Sequence, residues 1–159
     1  MFKITEEEKS YIAGLLDSDN GCVDAQIVRR PDYQLKFQIQ VSISFFQKTK
    51  RYWFLVWLKK KLDYGMIRKN SNGVSEYILI GKQVVKKVLE TLKNYLKIKN
   101  KQSFLVLNII SKSTKNQDFQ AFLELCESVD RISLLNDFKD RLITSLVVKK
   151  ENLDILNPP

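Results

Sequence analysis

Hydrophobic and polar residues alternate from Tyr33 to Phe45, and this alternation is the clearest pattern in the chain. A period of two is typical of a β-strand with one buried face and one polar face. The polar positions carry little charge but offer many hydrogen-bonding groups. The apolar set comprises Leu35, Phe37, Ile39, Val41, Ile43 and Phe45, and the polar set comprises Gln34, Lys36, Gln38, Gln40, Ser42 and Ser44.

Other stretches of the chain predict the remaining elements. Thr5 and Glu8 have the spacing of a capping box at the start of a helix that ends near Asp17. A turn is expected at 30–32, and Asn70-Ser71-Asn72-Gly73 indicates a second hairpin turn. The predicted strands cover 21–29, 33–45, 66–68 and 74–80, and the later helices cover 48–62, 83–96, 101–111, 118–135 and 137–148, with a polar linker at 111–117.

This order of elements predicts an α+β fold of the type αββαββα with additional C-terminal helices. One four-stranded antiparallel sheet would have helices on one face, which leaves the other face free for a ligand. We expect a single domain over 1–150, with a core at 5–97, C-terminal helices at 100–148 and a flexible tail at 151–159 that frays at 157–159.

The charge of the chain favours an anionic partner. Lys and Arg number 27 against 18 Asp and Glu, which gives a net charge of +9. Glutamine can pair with adenine in the major groove of DNA, and a two-stranded ribbon fits that groove. Asp24, Gln26, Val28 and Arg30 are predicted to continue the polar face of the long strand. The alternative is an ordinary solvated sheet face.

The chain contains no histidine, which excludes Ser-His-Asp and Cys-His catalysis and nucleases that use a histidine base. A nuclease of this composition would depend on carboxylates and metal ions. Cys22 and Cys126 are expected to be separate reduced thiols. We find neither a signal-peptide pattern nor a hydrophobic run of membrane-spanning length, so no membrane partner is expected.

The first helix breaks two local rules. Gly14 in a helix interior costs about 1 kcal/mol relative to alanine, so close approach of a second helix would explain it. Asp17 and Asp19 lie at the negative end of the helix dipole, where a negative charge is unfavourable. A bound cation would make the two carboxylates favourable there. The alternative is a buried amphipathic helix with an acidic C-cap. A calcium-binding EF-hand is excluded because Val28 stands where its last ligand, a glutamate, is required.

Residues 11–19, Tyr11-Ile12-Ala13-Gly14-Leu15-Leu16-Asp17-Ser18-Asp19, resemble the signature of the LAGLIDADG homing endonucleases. The similarity extends over about residues 5–145 and is greatest to the single-motif members, which are group I intron products and act as homodimers. It implies a saddle-like sheet in the fold described above. It also implies that the motif helices of two subunits pack together at the dimer axis.

The resemblance implies roles for particular residues. Asp19 would bind a divalent metal, Mg²⁺ or Mn²⁺, together with the backbone carbonyl of Ser18. Gln47 and Arg51 would belong to the periphery of the catalytic site. Lys99 would be the active-site lysine, with Lys97 and Lys101 as close alternatives, and Asp17 is more readily a structural cap than a metal ligand.

Two surfaces complete the expectation. The predicted dimer interface comprises Tyr11, Ile12, Ala13, Gly14, Leu15 and Asp17. The predicted DNA-binding residues are Asp24, Gln26, Val28, Arg30, Tyr33, Gln34, Lys36, Gln38, Gln40, Ser42, Ser44 and, as a weaker candidate near the second hairpin, Arg68.

The hypothesis is therefore a homodimeric, metal-dependent endonuclease that makes double-strand breaks at a long pseudo-palindromic DNA site and promotes intron mobility. Such a protein is expected inside the cell, in a chloroplast or mitochondrion or with the nucleoid. Two alternatives stay open, namely an intron maturase that binds RNA and a non-catalytic DNA-binding protein of the same fold.

Overall fold

The structure is a computed structural model that describes residues 3–114 and 117–156, with side chains as far as residue 154. Residues 115 and 116 of the expected linker, and the terminus 157–159, lie outside this part of the chain. The elements are α1 (Glu6–Asp17), β1 (Gly21–Arg29), β2 (Phe37–Lys48), a 3₁₀ turn (Thr49–Arg51), α2 (Tyr52–Leu62), β3 (Met66–Lys69), β4 (Val74–Ile80), α3 (Lys82–Leu92), α4 (Asn100–Lys112), α5 (Phe119–Leu135), α6 (Ser145–Glu151) and α7 (Leu153–Leu156).

The four strands form one antiparallel sheet in the order β1-β2-β4-β3. Both predicted hairpins and the αββαββα order are confirmed, and so is the fold class. The capping box is also present, since the Glu8 amide donates to Thr5 Oγ1 and the Thr5 amide donates to Glu8 Oε1, each at 3.1 Å. The start of α1 is therefore fixed by its own sequence.

The core lies between one face of the sheet and the helices. The odd-numbered residues from Gly21 to Ile27 and from Phe37 to Phe45 are buried there, as their alternation predicted, and α4 and α5 extend the same core along β1. The even-numbered residues lie on the opposite face, which we call the open face. Core residues of the sheet include Val23, Ala25, Ile27, Phe37, Ile39, Val41, Ile43 and Phe45, and those of the first three helices include Ile12, Leu16, Leu55, Leu58, Val85, Val88 and Leu89.

The second strand begins at Phe37, so the predicted start at Tyr33 is wrong. A turn occupies 31–36, closed by the Arg30 amide donating to the Lys36 carbonyl at 2.8 Å. Lys36 has a φ of 67°, a left-handed conformation that interrupts the extended chain. Tyr33, Gln34 and Lys36 therefore belong to a turn and not to the sheet.

The predicted helix at 137–148 is confirmed only from residue 145 onward, because the structure has an irregular segment from Asn136 to Thr144 before α6. Asp130 of α5 explains where α6 begins. Its carboxylate accepts hydrogen bonds from the Ser145 hydroxyl at 2.5 Å and from the Ser145 amide at 3.2 Å. A carboxylate at this end satisfies a free amide of the new helix, which favours its start at residue 145.

Residues 151 and 152, which we placed in a flexible tail, are tied to the domain. Glu151 makes a bidentate ion pair with Arg29 at 2.8 and 3.0 Å. The buried Asn152 donates to the Leu35 carbonyl at 3.2 Å. The third helix ends at Leu92 instead of Leu96. None of the helices within the described residues is long and apolar enough to cross a membrane.

Candidate active site

A tight turn follows α1 and leaves the side chain of Asp19 exposed to solvent. The Ser18 amide caps the helix by donating to the Gly14 carbonyl at 3.1 Å, and the Gly21 amide then donates to the Ser18 carbonyl at 3.0 Å. A Cβ on Gly21 would lie 2.3 Å from the Leu16 carbonyl oxygen, so only glycine fits this close approach. Gly21 is thus required by the turn that carries Asp19.

Asp17 anchors the segment that precedes α4. Its two carboxylate oxygens accept the amides of Lys97 at 2.7 Å and of Lys99 at 2.9 Å. The expectation that Asp17 caps its own helix is therefore wrong, because Ser18 caps α1 and Asp17 binds the segment before α4. These bonds hold the carboxylate within its own chain, and the role of Asp17 as a dimer contact stays a prediction.

Lys99 is brought to the end of α1 by this anchor. Its ammonium donates to the Leu16 carbonyl at 2.7 Å and to the Ser18 carbonyl at 2.5 Å, and the residue is buried. Burial lowers the pKa of Lys99, and the negative charges of Asp17 and Asp19 oppose that shift. Lys97 and Lys101 are exposed, so Lys99 is the one of the three lysines that the fold places beside Asp19.

Asp19 is exposed, and no hydrogen bond or ion pair within 3–114 and 117–156 engages its carboxylate. The Ser18 carbonyl, by contrast, already accepts from Lys99 and Gly21, which uses both of its lone pairs. The geometry therefore favours Asp19 over Ser18 as a metal ligand. Carboxylate and carbonyl oxygens are the donors that Mg²⁺ prefers.

The described part of one chain shows no complete metal site made of side chains. Among the residues that the structure describes, no group of three or more carboxylate, cysteine or histidine side chains could hold a metal ion. The Asp19 carboxylate fits a Mg²⁺ ion as a single ligand. The other ligands would have to come from water, from a phosphate or from a second copy of the chain.

Gln47 and Arg51 lie beside this site and bind each other. Arg51 Nε donates to Gln47 Oε1 at 2.9 Å. The strand that carries Gln47 is joined to the Asp19 turn, because the Phe46 amide donates to the Asn20 carbonyl at 2.8 Å. Both residues are therefore close to the turn but outside the groove that contains Asp19 and Lys99.

A groove of about 580 Å³ connects the site with the open face. Gln26 lines this groove, and its side chain is exposed on the open face beside that of its direct cross-strand neighbour Gln40. Val28 and Ser42 are half-buried, and Ser44 is buried. Gln26 of β1 lies opposite Gln40 of β2, so both strands direct a glutamine side chain to the polar face. The groove is lined by Asp17, Asp19, Cys22, Asp24, Gln26, Ser42, Ser44, Lys99 and Arg141, among others.

Asp24 lies on the open face but is not available as a reader of bases. It is buried, and its carboxylate forms an ion pair with Arg141. Arg141 and Asn136 line the groove and were missed by sequence reasoning, because both fall in or beside the stretch predicted as a helix. The one signal in the sequence was Asp24 itself, because a carboxylate among uncharged side chains on a strand face needs a positively charged partner.

The turn at the end of the β1–β2 hairpin carries the other predicted DNA contacts. Arg30 donates to Gln38 Oε1 at 2.7 Å, pairs with Asp32 at 2.9 Å and lies over the Tyr33 ring at 4.4 Å. Gln34 and Lys36 are exposed in the same turn. On the second hairpin, Arg68 pairs with Glu76 at 2.6 Å, on the open face.

The predicted dimer surface needs correction. Ile12 and Ala13 are both 0% exposed because they face the sheet of their own chain, so neither can contact a partner. Tyr11 is 54% exposed, Gly14 is exposed and Leu15 is half-buried. These three residues form the outer side of α1. Beside it lie the aromatic side chains of Trp53, Phe54 and Trp57, with Tyr11 packed edge-on against Phe54 and Trp57.

Comparison with known proteins places this arrangement in a family. The model of the LAGLIDADG endonuclease family matches residues 12–126. The chain is 39% identical to the DNA endonuclease I-CvuI of Chlorella vulgaris over 141 residues, which covers 89% of this chain and 87% of that protein. It is 38% identical to the DNA endonuclease I-CreI of Chlamydomonas reinhardtii over 148 residues, with coverage of 92% and 90%.

The fold agrees with the same relatives. A crystal structure of I-CvuI in complex with its target in the presence of 2 mM Ca superposes with a TM-score of 0.87 at 36% sequence identity, and the match covers 94% of each chain. A second I-CvuI structure, with an I-CreI target and 2 mM Mg, gives a TM-score of 0.88 at 35% identity and covers 94% of this chain and 95% of that one. The chain belongs to the LAGLIDADG endonuclease family.

Proposed function

We propose that this protein is a site-specific homing endonuclease that cleaves both strands of double-stranded DNA. The observation that carries the proposal is the shared groove, in which the free carboxylate of Asp19 and the buried ammonium of Lys99 adjoin the glutamine and serine side chains of the open face. In this proposal, the residues that contact DNA are therefore neighbours of the residues that carry out cleavage. The relatives of 39% and 38% identity are named DNA endonucleases, which supports the same reaction here.

We propose that Mg²⁺ is the cofactor and that Asp19 holds it in each subunit. When bound, a divalent ion of this kind polarises the scissile phosphate and lowers the pKa of a bound water molecule. The net charge of +9 draws the DNA phosphates toward the protein, and the exposed Asp19 carboxylate is unfavourable beside them without a cation. The chain contains no histidine, so no histidine base activates the water molecule that hydrolyses the phosphodiester in this proposal.

Lys99 balances the charge of the phosphate in this scheme. Its ammonium is fixed by two carbonyls, and a fixed charge that needs no reorganisation stabilises a developing anion well. Gln47 and Arg51, which hold each other at 2.9 Å, orient water at the edge of the site.

We further propose that the active form is a homodimer. One chain supplies one Asp19, whereas a double-strand break needs a carboxylate at each of two phosphates. The exposed side of α1, with Tyr11 and Gly14, and the neighbouring aromatic side chains offer an apolar surface on which a second copy can pack. Such a dimer would read two half-sites with one open face each.

The test is incubation of the purified protein with Mg²⁺ and a library of DNA duplexes, followed by sequencing of the new ends. We expect paired breaks at one long, nearly palindromic sequence, and no breaks when EDTA is present. Tight DNA binding with no cleavage in Mg²⁺ or Mn²⁺ would contradict nuclease activity and favour a non-catalytic DNA-binding protein. Selective binding of an intron RNA without any DNA cleavage would instead favour a maturase.

A further inference from the structure

Two residues from distant parts of the chain meet on the open face. Asp24 lies on β1, directly opposite Ser42 of β2 and two residues from Gln26. Arg141 comes from the irregular segment 136–144, and its guanidinium forms an ion pair with the Asp24 carboxylate. The side chains of Asp24 and Arg141 are 13% and 21% exposed, so the pair is largely shielded from water.

Neighbouring polar groups fix this pair in place. Asn136 Nδ2 donates to the Val23 carbonyl at 2.9 Å and lies 3.5 Å from Asp24 Oδ1. Gln102 Nε2 donates to Asn136 Oδ1 at 3.3 Å, which links the same network to α4. Arg141 also lies over the Phe138 ring at 4.9 Å. The segment is therefore held on β1 at several points, and Arg141 is aimed at Asp24.

A bare carboxylate at this position would impede DNA binding. It would repel the phosphates, and in the major groove it could accept a hydrogen bond only from the amino groups of cytosine and adenine. The surrounding side chains, Gln26, Gln40 and Ser42, are neutral and can both donate and accept. With Arg141 paired to it, Asp24 adds no net charge to this part of the face.

We propose that Arg141 masks the charge of Asp24, and that the two residues act as one neutral unit that lets β1 approach DNA. This inference rests on the proposed function, because it concerns how the same face accepts its DNA. Arg141 is then a positioning residue whose partner is Asp24 and not a phosphate. If the two residues act as such a unit, removing both charges should weaken DNA binding less than removing the arginine alone.

The experiment measures binding to a duplex recovered by selection with the wild-type protein, by fluorescence anisotropy in Ca²⁺ at several salt concentrations. The variants are Arg141→Met, Asp24→Asn, the double variant and Arg141→Lys. Lys139→Met is the matched control, since it removes one positive charge from an exposed position of the same segment. Thermal unfolding of each variant shows that it is folded.

We expect Arg141→Met to weaken binding about tenfold or more beyond the control, because it leaves an unpaired carboxylate on the face. The double variant should bind within about threefold of Asp24→Asn, as coupled partners do. Arg141→Lys should stay near the wild type because it keeps the charge. Base profiling of Arg141→Met should also show a new preference for cytosine or adenine near the position that Gln26 contacts.

A double variant that binds as weakly as Arg141→Met would overturn the inference. A salt slope reduced by about one in both variants would then identify Arg141 as a direct phosphate contact. If Arg141→Met does not fold, the double variant and Arg141→Lys still decide between the two roles. A wild-type protein that binds no duplex would contradict the proposed function instead.

Discussion

The ammonium of Lys99 lies 2.5 Å from the carbonyl oxygen of Ser18, the residue that precedes Asp19. This contact joins the start of α4 to the end of α1, and the Asp17 carboxylate reinforces it by accepting the Lys99 amide at 2.9 Å. The carboxylate and the ammonium of the proposed active site are thus held by two elements that are far apart in sequence.

Lys99→Met should lower cleavage without abolishing DNA binding. The methionine keeps most of the buried side chain but removes the fixed positive charge, and loss of one such group costs about 10²-fold in rate. Single-turnover cleavage at saturating enzyme is the measurement.

Lys97→Met and Lys101→Met are matched controls, since both lysines are exposed on the same segment. We expect each to cleave within about fivefold of the wild type at saturating enzyme, because phosphate contacts act mainly on binding. An equal loss of cleavage in all three variants would show that the segment acts only through its net charge.

Gly14→Leu should separate the two subunits while leaving each chain folded. A Cβ at Gly14 meets nothing within 4 Å in its own chain, and leucine favours a helix over glycine by up to about 1 kcal/mol. The larger side chain would, however, hold a second α1 away. Sedimentation equilibrium should therefore show a folded monomer that does not make double-strand breaks.

The control for Gly14→Leu is Lys86→Leu, which adds an exposed leucine to α3 and leaves the outer side of α1 unchanged. This variant should sediment as the wild type does. A Gly14→Leu protein that remains dimeric and fully active would place the subunit interface on another surface.

Gln40→Ala should change which bases are tolerated at symmetric positions of the target. Gln40 is exposed opposite Gln26 on the open face, and a lost bidentate contact to a base costs about 1–3 kcal/mol. Target profiling by deep sequencing is the measurement, with Gln83→Ala as the control because Gln83 is exposed on α3. The same base preference in the wild type, Gln40→Ala and Gln83→Ala would mean that the open face does not read the DNA sequence.

Local patterns predicted the elements well where each strand or helix has one buried face. The alternation of Phe37 to Phe45 predicted both the strand and its buried side correctly, because that period specifies a face. The same alternation failed at Leu35, since the turn before Phe37 depends on backbone hydrogen bonds that apolar spacing does not reveal.

The resemblance identified the residues at the end of α1, but not how their side chains are used. Ile12 and Ala13 belong to the signature, yet their direction depends on the position of the sheet, and they are buried in their own chain. The role of Asp24 could not be predicted because its partner Arg141 is 117 residues away. Contacts over such a distance in sequence are fixed by tertiary packing alone.

The central claim is that the Asp19 carboxylate holds the catalytic metal. Asp19→Asn keeps the shape of the side chain and removes its charge, and no described hydrogen bond or ion pair is lost with it. The variant should therefore fold normally. DNA binding without metal should be retained or become tighter, because a negative charge near the phosphates is gone.

The measurement that tests this claim most directly is the single-turnover cleavage rate of Asp19→Asn in Mg²⁺, with the protein saturating its selected DNA target. The account predicts a fall of several orders of magnitude at unchanged or tighter DNA binding. A rate within about tenfold of the wild type, a change of only about 1.4 kcal/mol in the barrier, would contradict it and assign the metal to another residue.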